Sequence, residues 1–97
     1  MKFTLSIVSK VSSDIQTGVD YYNSKRPKQG AKFKKAVFSH LETLKTNPFF
    51  EIRYDNVRCL PIKKYPYLIE FTVNEETKVI RVFAVLHTSM DNPNLSK

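Results

Sequence analysis

The chain opens with two different periods of apolar residues. Residues 2–8 alternate between apolar and polar, which predicts a half-buried β-strand. Its inward positions are Phe3, Leu5 and Ile7. The next apolar residues follow helical spacing and predict a first helix over about Ser13–Ser24, with the N-cap among residues 12–14. Its apolar positions are Val11, Ile15, Val19 and Tyr22.

A second helix is predicted beyond Pro27. The Arg26–Pro27 step ends the first helix because a residue before proline disfavours the helical region, and Pro27 suits a first helical turn. One apolar face then continues until Asn47–Pro48, formed by Phe33, Val37, Leu41 and Leu44. The short connection predicts an antiparallel helical hairpin. Gly18 weakens the first helix by about 1 kcal/mol relative to alanine.

Three strands are predicted after an irregular connection at residues 49–56. In chain order they are Val57–Lys63, Tyr67–Val73 and Lys78–Thr88, with a tight hairpin connection at 74–77. Pro61 favours an edge or a bulge in the first of them. The three strands are expected to form an antiparallel meander. The predicted fold class is therefore α+β, a two-layer sandwich with an N-terminal strand, a helical hairpin and the meander.

The alternation within the last two strands predicts an open face of the sheet. Inward positions are expected at Tyr67, Ile69, Phe71, Val73, Ile80, Val82, Ala84 and Leu86. The opposite face then carries Glu70, Arg81 and His87, with Glu70 and Arg81 as a cross-strand pair. Lys63 and Lys64 lie close by in sequence. We expect an anion site on this face, where His87 is a catalytic candidate or simply a surface histidine.

Length and composition predict one small domain over residues 1–97, with a net charge of +7. Six basic residues and no acid lie between residues 21 and 41: Lys25, Arg26, Lys28, Lys32, Lys34 and Lys35. This cluster suits a phosphate backbone, an acidic protein partner, or only a solvated helix face. No signal peptide or membrane span is predicted, and a single cysteine, Cys59, favours a reduced, cytoplasmic setting.

The residue inventory excludes several kinds of site. Two histidines and one cysteine do not suffice for a usual zinc site, and two glycines do not make a phosphate-binding loop. Closely spaced acids and a Ser/His/Asp arrangement are also absent. We therefore expect no metal and no cofactor, so any catalysis would use His, Lys, Arg and Tyr. Cys59 and His40 are predicted to be structural, Cys59 as a small buried hydrophobe.

The order of short motifs resembles the RelE/ParE superfamily of bacterial toxins, in the plasmid-stabilisation branch. The motifs are Asp14-Ile15, Tyr21-Tyr22, Gly30-Ala31-Lys32-Phe33, Leu44-Lys45-Thr46-Asn47-Pro48, Arg58-Cys59-Leu60, Lys63-Lys64-Tyr65-Pro66-Tyr67-Leu68-Ile69, Ala84-Val85-Leu86-His87 and Asn92-Pro93. The resemblance spans nearly the whole chain. It implies the toxin of a type II toxin–antitoxin pair, whose partner is a small antitoxin that wraps and neutralises it.

The resemblance implies two activities for one fold. RelE-like members cleave mRNA on the ribosome, whereas ParE-like members poison DNA gyrase and are not nucleases. Metal-free, ribosome-dependent mRNA cleavage is the expected activity, with a gyrase poison or a catalytically inactive, antitoxin-bound member as the alternatives. No membrane is expected among the partners.

The resemblance also implies roles for individual residues. His87 stands where RelE-like toxins keep a general acid or base, and the phosphate stabilisers would be Arg58, Lys63 and Lys64. Tyr65 would stack on a base, with further RNA contacts from Arg81, Lys32 and Lys35. Two positions depart from the nuclease pattern: no arginine stands near Met90, and Leu68 occupies the place of a basic residue.

Overall fold

The computed structural model describes residues 2–88, which form two helices and five strands. In chain order these are β1 (Thr4–Ile7), α1 (Lys10–Lys25), α2 (Gln29–Leu44), β2 (Ile52–Tyr54), β3 (Val57–Pro61), β4 (Tyr67–Asn74) and β5 (Val79–His87). The predicted N-terminal strand, helical hairpin and meander are confirmed. The polar tail that contains Met90 and Asn92-Pro93 lies outside the described residues.

The five strands form one sheet in the order β1-β5-β4-β3-β2. Strand β1 pairs in parallel with β5, and all other neighbours are antiparallel. The helical hairpin packs on one face of this sheet, so the α+β two-layer class is confirmed. The connection at 49–56 is not wholly irregular, because it contains β2, a three-residue edge strand paired with β3.

Both helices begin at residues other than those predicted. Helix α1 starts at Lys10, with Ser9 at the N-cap and no side-chain cap, instead of at Ser13. The earlier start places Val11 in the core at 0% exposure. Helix α2 starts at Gln29 after Lys28, whose φ of 71° is left-handed, so Pro27 lies in the turn and not in the first helical turn.

The core lies between the hairpin and the helix-side face of the sheet. The predicted α2 face is confirmed, since its apolar residues are all at most 2% exposed: Phe33, Val37, Leu41 and Leu44. Phe33 meets the rings of Tyr22, Tyr65 and Tyr67 at centroid distances of 5.2, 5.3 and 4.7 Å. This aromatic cluster joins α1, α2 and the start of β4.

Close contact between the helices depends on Gly18 and Gly30. A Cβ on Gly18 would lie 2.4 Å from Cε2 of Phe33, and one on Gly30 would lie 2.5 Å from the carbonyl oxygen of Val19. The Gly30 N–H also donates to Oδ1 of Asn23 at 2.8 Å. Gly18 thus lowers helix propensity but makes room for the Phe33 ring.

Strand β5 contains a bulge at Phe83. Phe71 pairs with Val82 and the preceding Glu70 with Ala84, so Phe83 has no partner in β4. Since side chains alternate along a strand, one extra residue exchanges the two faces beyond it. Val82 and Val85, three positions apart, therefore both belong to the core.

We predict that Gly18→Ala lowers the free energy of unfolding by about 1–3 kcal/mol, because the added methyl overpacks the buried Phe33 ring. Urea unfolding measures the change, with Ser12→Ala on the exposed side of α1 as the control. Helix propensity alone predicts the opposite sign, a gain of about 1 kcal/mol. A stabilised Gly18→Ala protein would contradict this packing of the hairpin.

Candidate functional site

The β3–β4 turn and the end of β5 lie at the same end of the sheet. The Thr88 N–H donates to the Pro66 carbonyl at 2.8 Å, and the Ile62 N–H donates to the Tyr67 carbonyl at 2.9 Å. Lys63 and Lys64 lie in this turn with exposed side chains. The structure therefore places these two predicted phosphate stabilisers at the same sheet end as His87.

His87 lies on the helix side of the sheet and not on the open face. Its ring meets the Tyr67 ring edge-on, with centroids 4.9 Å apart and planes at 78°. The two residues are cross-strand partners. A shallow cavity of about 230 Å³ adjoins them, lined also by Asp14 and Thr17 of α1.

The predicted faces of β5 are wrong beyond Phe83. Ala84 and Leu86 were expected inward, with Val85 and His87 outward. The bulge instead turns Val85, which is 4% exposed, toward the helices and places His87 on the same side. The predicted inward set of β4 is confirmed, since Tyr67, Ile69 and Phe71 belong to the core cluster and Val73 packs against it.

The predicted Glu70–Arg81 cross-strand pair is not formed by the strand register. Arg81 lies opposite Thr72, whereas Glu70 lies between Ala84 of β5 and Cys59 of β3. Arg81 is exposed, but Glu70 is only 3% exposed. The expected grouping of Glu70, Arg81 and His87 on one face is therefore wrong, because the bulge separates His87 from the other two.

Arg58 has a structural partner. Its Nη1 donates to the Phe50 carbonyl at 2.8 Å, and its guanidinium lies over the Phe49 ring at 5.3 Å. Phe49 in turn packs edge-on against Phe3. Arg58 thus holds the segment between α2 and β2 against the sheet.

Arg58 is also far from His87. Arg58 lies opposite Phe71 of β4, and His87 lies opposite Tyr67. Four residues of β4 separate these register positions, or about 13 Å along the strand. The expected catalytic set is therefore divided into two places on the sheet.

We predict that Arg58→Ala lowers the free energy of unfolding by about 1–3 kcal/mol, because the Phe50 carbonyl loses a charged donor. Denaturant unfolding measures this, with the exposed Lys64→Ala as a control expected to change it by less than about 0.5 kcal/mol. Equal stability of Arg58→Ala and the unmodified protein would show that the guanidinium is free for another role.

The tyrosines near His87 are occupied by packing. The half-buried Tyr65 ring lies 5.2 Å from that of Tyr22 and 5.3 Å from that of Phe33, so it packs against the edge of the core. Burial raises the pKa of Tyr22 and Tyr67, and neighbouring tyrosines raise it further. Both phenols therefore stay protonated at neutral pH and do not act as bases.

His40 positions the turn that carries the two lysines. Its Nδ1 lies 2.7 Å from the Ala36 carbonyl, so this nitrogen is the donor, and Nε2 accepts the Lys63 N–H at 3.2 Å. The ring therefore links α2 to the β3–β4 turn, where Lys64 adopts a left-handed φ of 73°. The structural role predicted for His40 agrees with these contacts, but the sequence carried no signal for its partner Lys63.

Cys59 lies opposite Glu70 on the face of the sheet away from the helices and is half-buried, less enclosed than predicted. Contrary to expectation, this face is not open there, because Glu70 is 3% and Ala84 is 5% exposed. Burial raises the pKa of its thiol, Arg53 lowers it, and Glu51 and Glu70 raise it further. The net direction is upward, so the thiol is protonated at neutral pH and is a weak nucleophile.

We predict that alkylation of Cys59 by iodoacetamide rises with a midpoint pH above that of an ordinary cysteine, about 8.5. Arg53→Ala should move the midpoint higher still, because it removes the cation that favours the thiolate. Arg26→Ala, in the turn between the helices, is the matched control and should leave it unchanged. A lower midpoint in Arg53→Ala would contradict this arrangement.

Two further predicted RNA contacts belong to α2, whose Phe33 packs against Tyr65 and Tyr67. Lys32 and Lys35 are exposed on α2. Within residues 2–88, no group of three His, Cys, Asp or Glu side chains is arranged to hold a metal ion. Neither described helix has the length and apolar run that crossing a bilayer requires.

Comparison with solved structures identifies the fold. A chain of the chromosomal ParDE system from P. aeruginosa is 19% identical and superposes with a TM-score of 0.77, covering 89% of this chain and 96% of that one. The isolated E. coli RelE toxin is 14% identical, with a TM-score of 0.67 over 97% and 92% of the two chains. A chain of the archaeal RelE–RelB complex from Pyrococcus horikoshii OT3 is 15% identical and superposes with a TM-score of 0.59, covering 94% of this chain and 100% of that one.

Comparison at the sequence level identifies the family. No curated protein matches the chain. The family model of the ParE toxin of the type II toxin–antitoxin system parDE matches residues 6–92, nearly the whole chain. The expected RelE/ParE resemblance is thereby confirmed. The chain belongs to the ParE toxin family and is the toxin of a type II toxin–antitoxin system.

Proposed function

We propose that this toxin acts by binding a protein target, DNA gyrase, as the ParE resemblance implies, and does not cleave RNA. Its second protein partner is the antitoxin of the same system, in keeping with the family and with the RelE–RelB complex among the similar structures. This proposal reverses the activity expected from the sequence and adopts the gyrase alternative.

The separation of the candidate catalytic residues supports this proposal most directly. Metal-free RNA cleavage needs an acid, a base and a cation within hydrogen-bond reach of one phosphate. Arg58 lies about 13 Å along the sheet from His87 and is bound to the Phe50 carbonyl. Arg58, one of the expected phosphate stabilisers, is therefore not among the groups beside His87.

The surroundings of His87 support the same conclusion. Its ring packs on Tyr67, whose phenol keeps its proton because burial raises the pKa. Leu68, the next residue, is 6% exposed and apolar where a nuclease of this fold tends to carry a basic residue. The ring that contacts the His87 imidazole is therefore a phenol that is protonated at neutral pH, and the residue after it is apolar.

One observation favours RNA cleavage as a second candidate. Lys63 and Lys64 lie in a turn that is hydrogen-bonded to the end of β5, next to His87. Two exposed ammonium groups at one sheet end suit a phosphate. In this second candidate, His87 and the two lysines would form the site without Arg58.

Two toxin variants separate the candidates. His87→Phe keeps a ring against Tyr67 and removes the titratable imidazole, and Lys63→Gln/Lys64→Gln removes both turn cations. We predict that both folded variants retain full growth inhibition on induction. The purified unmodified toxin should inhibit gyrase supercoiling and trap gyrase-cleaved DNA, while messages in a translating extract stay intact.

The opposite result would establish the nuclease. Cut messages within minutes of induction, abolished by His87→Phe and by the double lysine variant, would overturn the gyrase proposal. Antitoxin co-expression is the control for both arms, since neutralisation shows that growth inhibition comes from the folded toxin.

A further inference from the structure

We infer that the basic tip of the helical hairpin binds the phosphate backbone of double-stranded DNA. The tip comprises the end of α1, the turn at residues 26–28 and the first two turns of α2. It carries the six cations Lys25, Arg26, Lys28, Lys32, Lys34 and Lys35, with no acid between residues 21 and 41. The inference concerns a surface about which the gyrase proposal says nothing and does not rest on it.

All six cations are available to a ligand. Each belongs to an exposed residue. The ion pairs Lys10–Asp14 and Lys45–Glu42 do not involve the tip. Lys25 lies over the Tyr21 ring at 5.2 Å, which leaves its ammonium group in solvent. A local excess of unpaired cations is the electrostatic footprint of phosphate binding.

Helix α2 arranges three of the six cations along one side of the hairpin. With 3.6 residues per turn, Lys32 and Lys35 lie on the side of α2 opposite the buried Gly30, Phe33 and Val37, and Lys28 precedes these two lysines at the N-cap. They form a stripe that rises by about 10 Å along the helix. The buried face fixes the direction of this stripe, because Phe33 is locked in the aromatic cluster.

The tip lacks what a protein interface or a single strand would require. Protein interfaces bury an apolar centre, but the exposed large apolar residues lie mainly elsewhere: Ile7, Phe38, Phe49, Ile52 and Tyr54. Single strands are held by the stacking of successive bases on aromatic rings, and the tip offers one exposed ring, that of Tyr21, with the Lys25 ammonium over it at 5.2 Å. Exposed cations without apolar or aromatic anchors suit a duplex backbone.

The shape of the tip favours DNA over an RNA duplex. A helix with its side chains is about 10–12 Å across, which matches the B-DNA major groove of about 12 Å. The major groove of A-form RNA is too narrow for side chains to enter. A helix seated across the DNA groove would bring the lysine stripe to phosphates on both walls.

Fluorescence anisotropy of a labelled 20-base-pair DNA of arbitrary sequence, with the full chain alone, tests the inference. Lys28→Gln/Lys32→Gln/Lys35→Gln removes the stripe, and Lys2→Gln/Lys78→Gln/Arg81→Gln removes the same charge elsewhere. We expect binding at 50 mM salt that weakens about tenfold or more in the stripe variant, and a slope of log affinity against log salt that falls by roughly 2.7 for three phosphates.

The controls distinguish a localised DNA-binding site from nonspecific attraction by the net positive charge of the chain. The second triple variant should keep most of the affinity, and an RNA duplex or single-stranded DNA of the same length should bind more weakly. Equal losses in both triple variants, no binding at 50 mM salt, or tighter binding of RNA or of single strands would each overturn the inference. Circular dichroism confirms that both variants fold. Gyrase is absent from the assay, so its result is independent of the proposed function.

Discussion

One extra residue in β5, Phe83, exchanges the two faces of that strand, so the residues that face the helices differ in parity on either side of it. Phe83 has no partner in β4, so Val82 packs on the helices before the bulge and Val85 packs on them after it. The pairing of β1 with β5 ends at Ile7 and Val82, so β1 does not extend to Val85, and Oδ2 of Asp14 accepts the hydrogen bond of the Val85 N–H at 3.0 Å. Because a buried N–H without an acceptor costs about 1–3 kcal/mol, this bond ties the bulge to α1.

The bulge decides which chemistry the end of β5 supports. It turns His87 away from the open face that carries Arg81 and toward Tyr67 and the cavity beside α1. Lys63 and Lys64 stay near it in the β3–β4 turn, whereas Arg58 is bound at a distance to the Phe50 carbonyl. The bulge and the Phe50 contact thus keep Arg58 apart from His87, and this separation is the observation that supports the proposed function.

The periods of apolar residues predicted the architecture well, because burial of a helix stripe or a strand face is a local property. They predicted the α2 face and the inward set of β4. They predicted the wrong faces for β5 beyond Phe83, because simple alternation assumes that every residue has a cross-strand partner. The bulge depends instead on the register with β4 and on Asp14, 71 positions away from Val85. The hydrogen-bond partners of Arg58 and His40 could not be predicted for the same reason, because tertiary contacts determine them. Short β2 was missed because three residues carry too little pattern.

The position of the His87 ring tests this account most directly. In a NOESY spectrum of the isotope-labelled protein, the bulge predicts cross-peaks between the ring protons of His87 and Tyr67, whose centroids lie 4.9 Å apart. It also predicts contacts from the Val85 amide proton to the Asp14 side chain. Cross-peaks from His87 to Arg81 and Glu70, with none to Tyr67, would show an unbroken alternation in β5 and contradict the account.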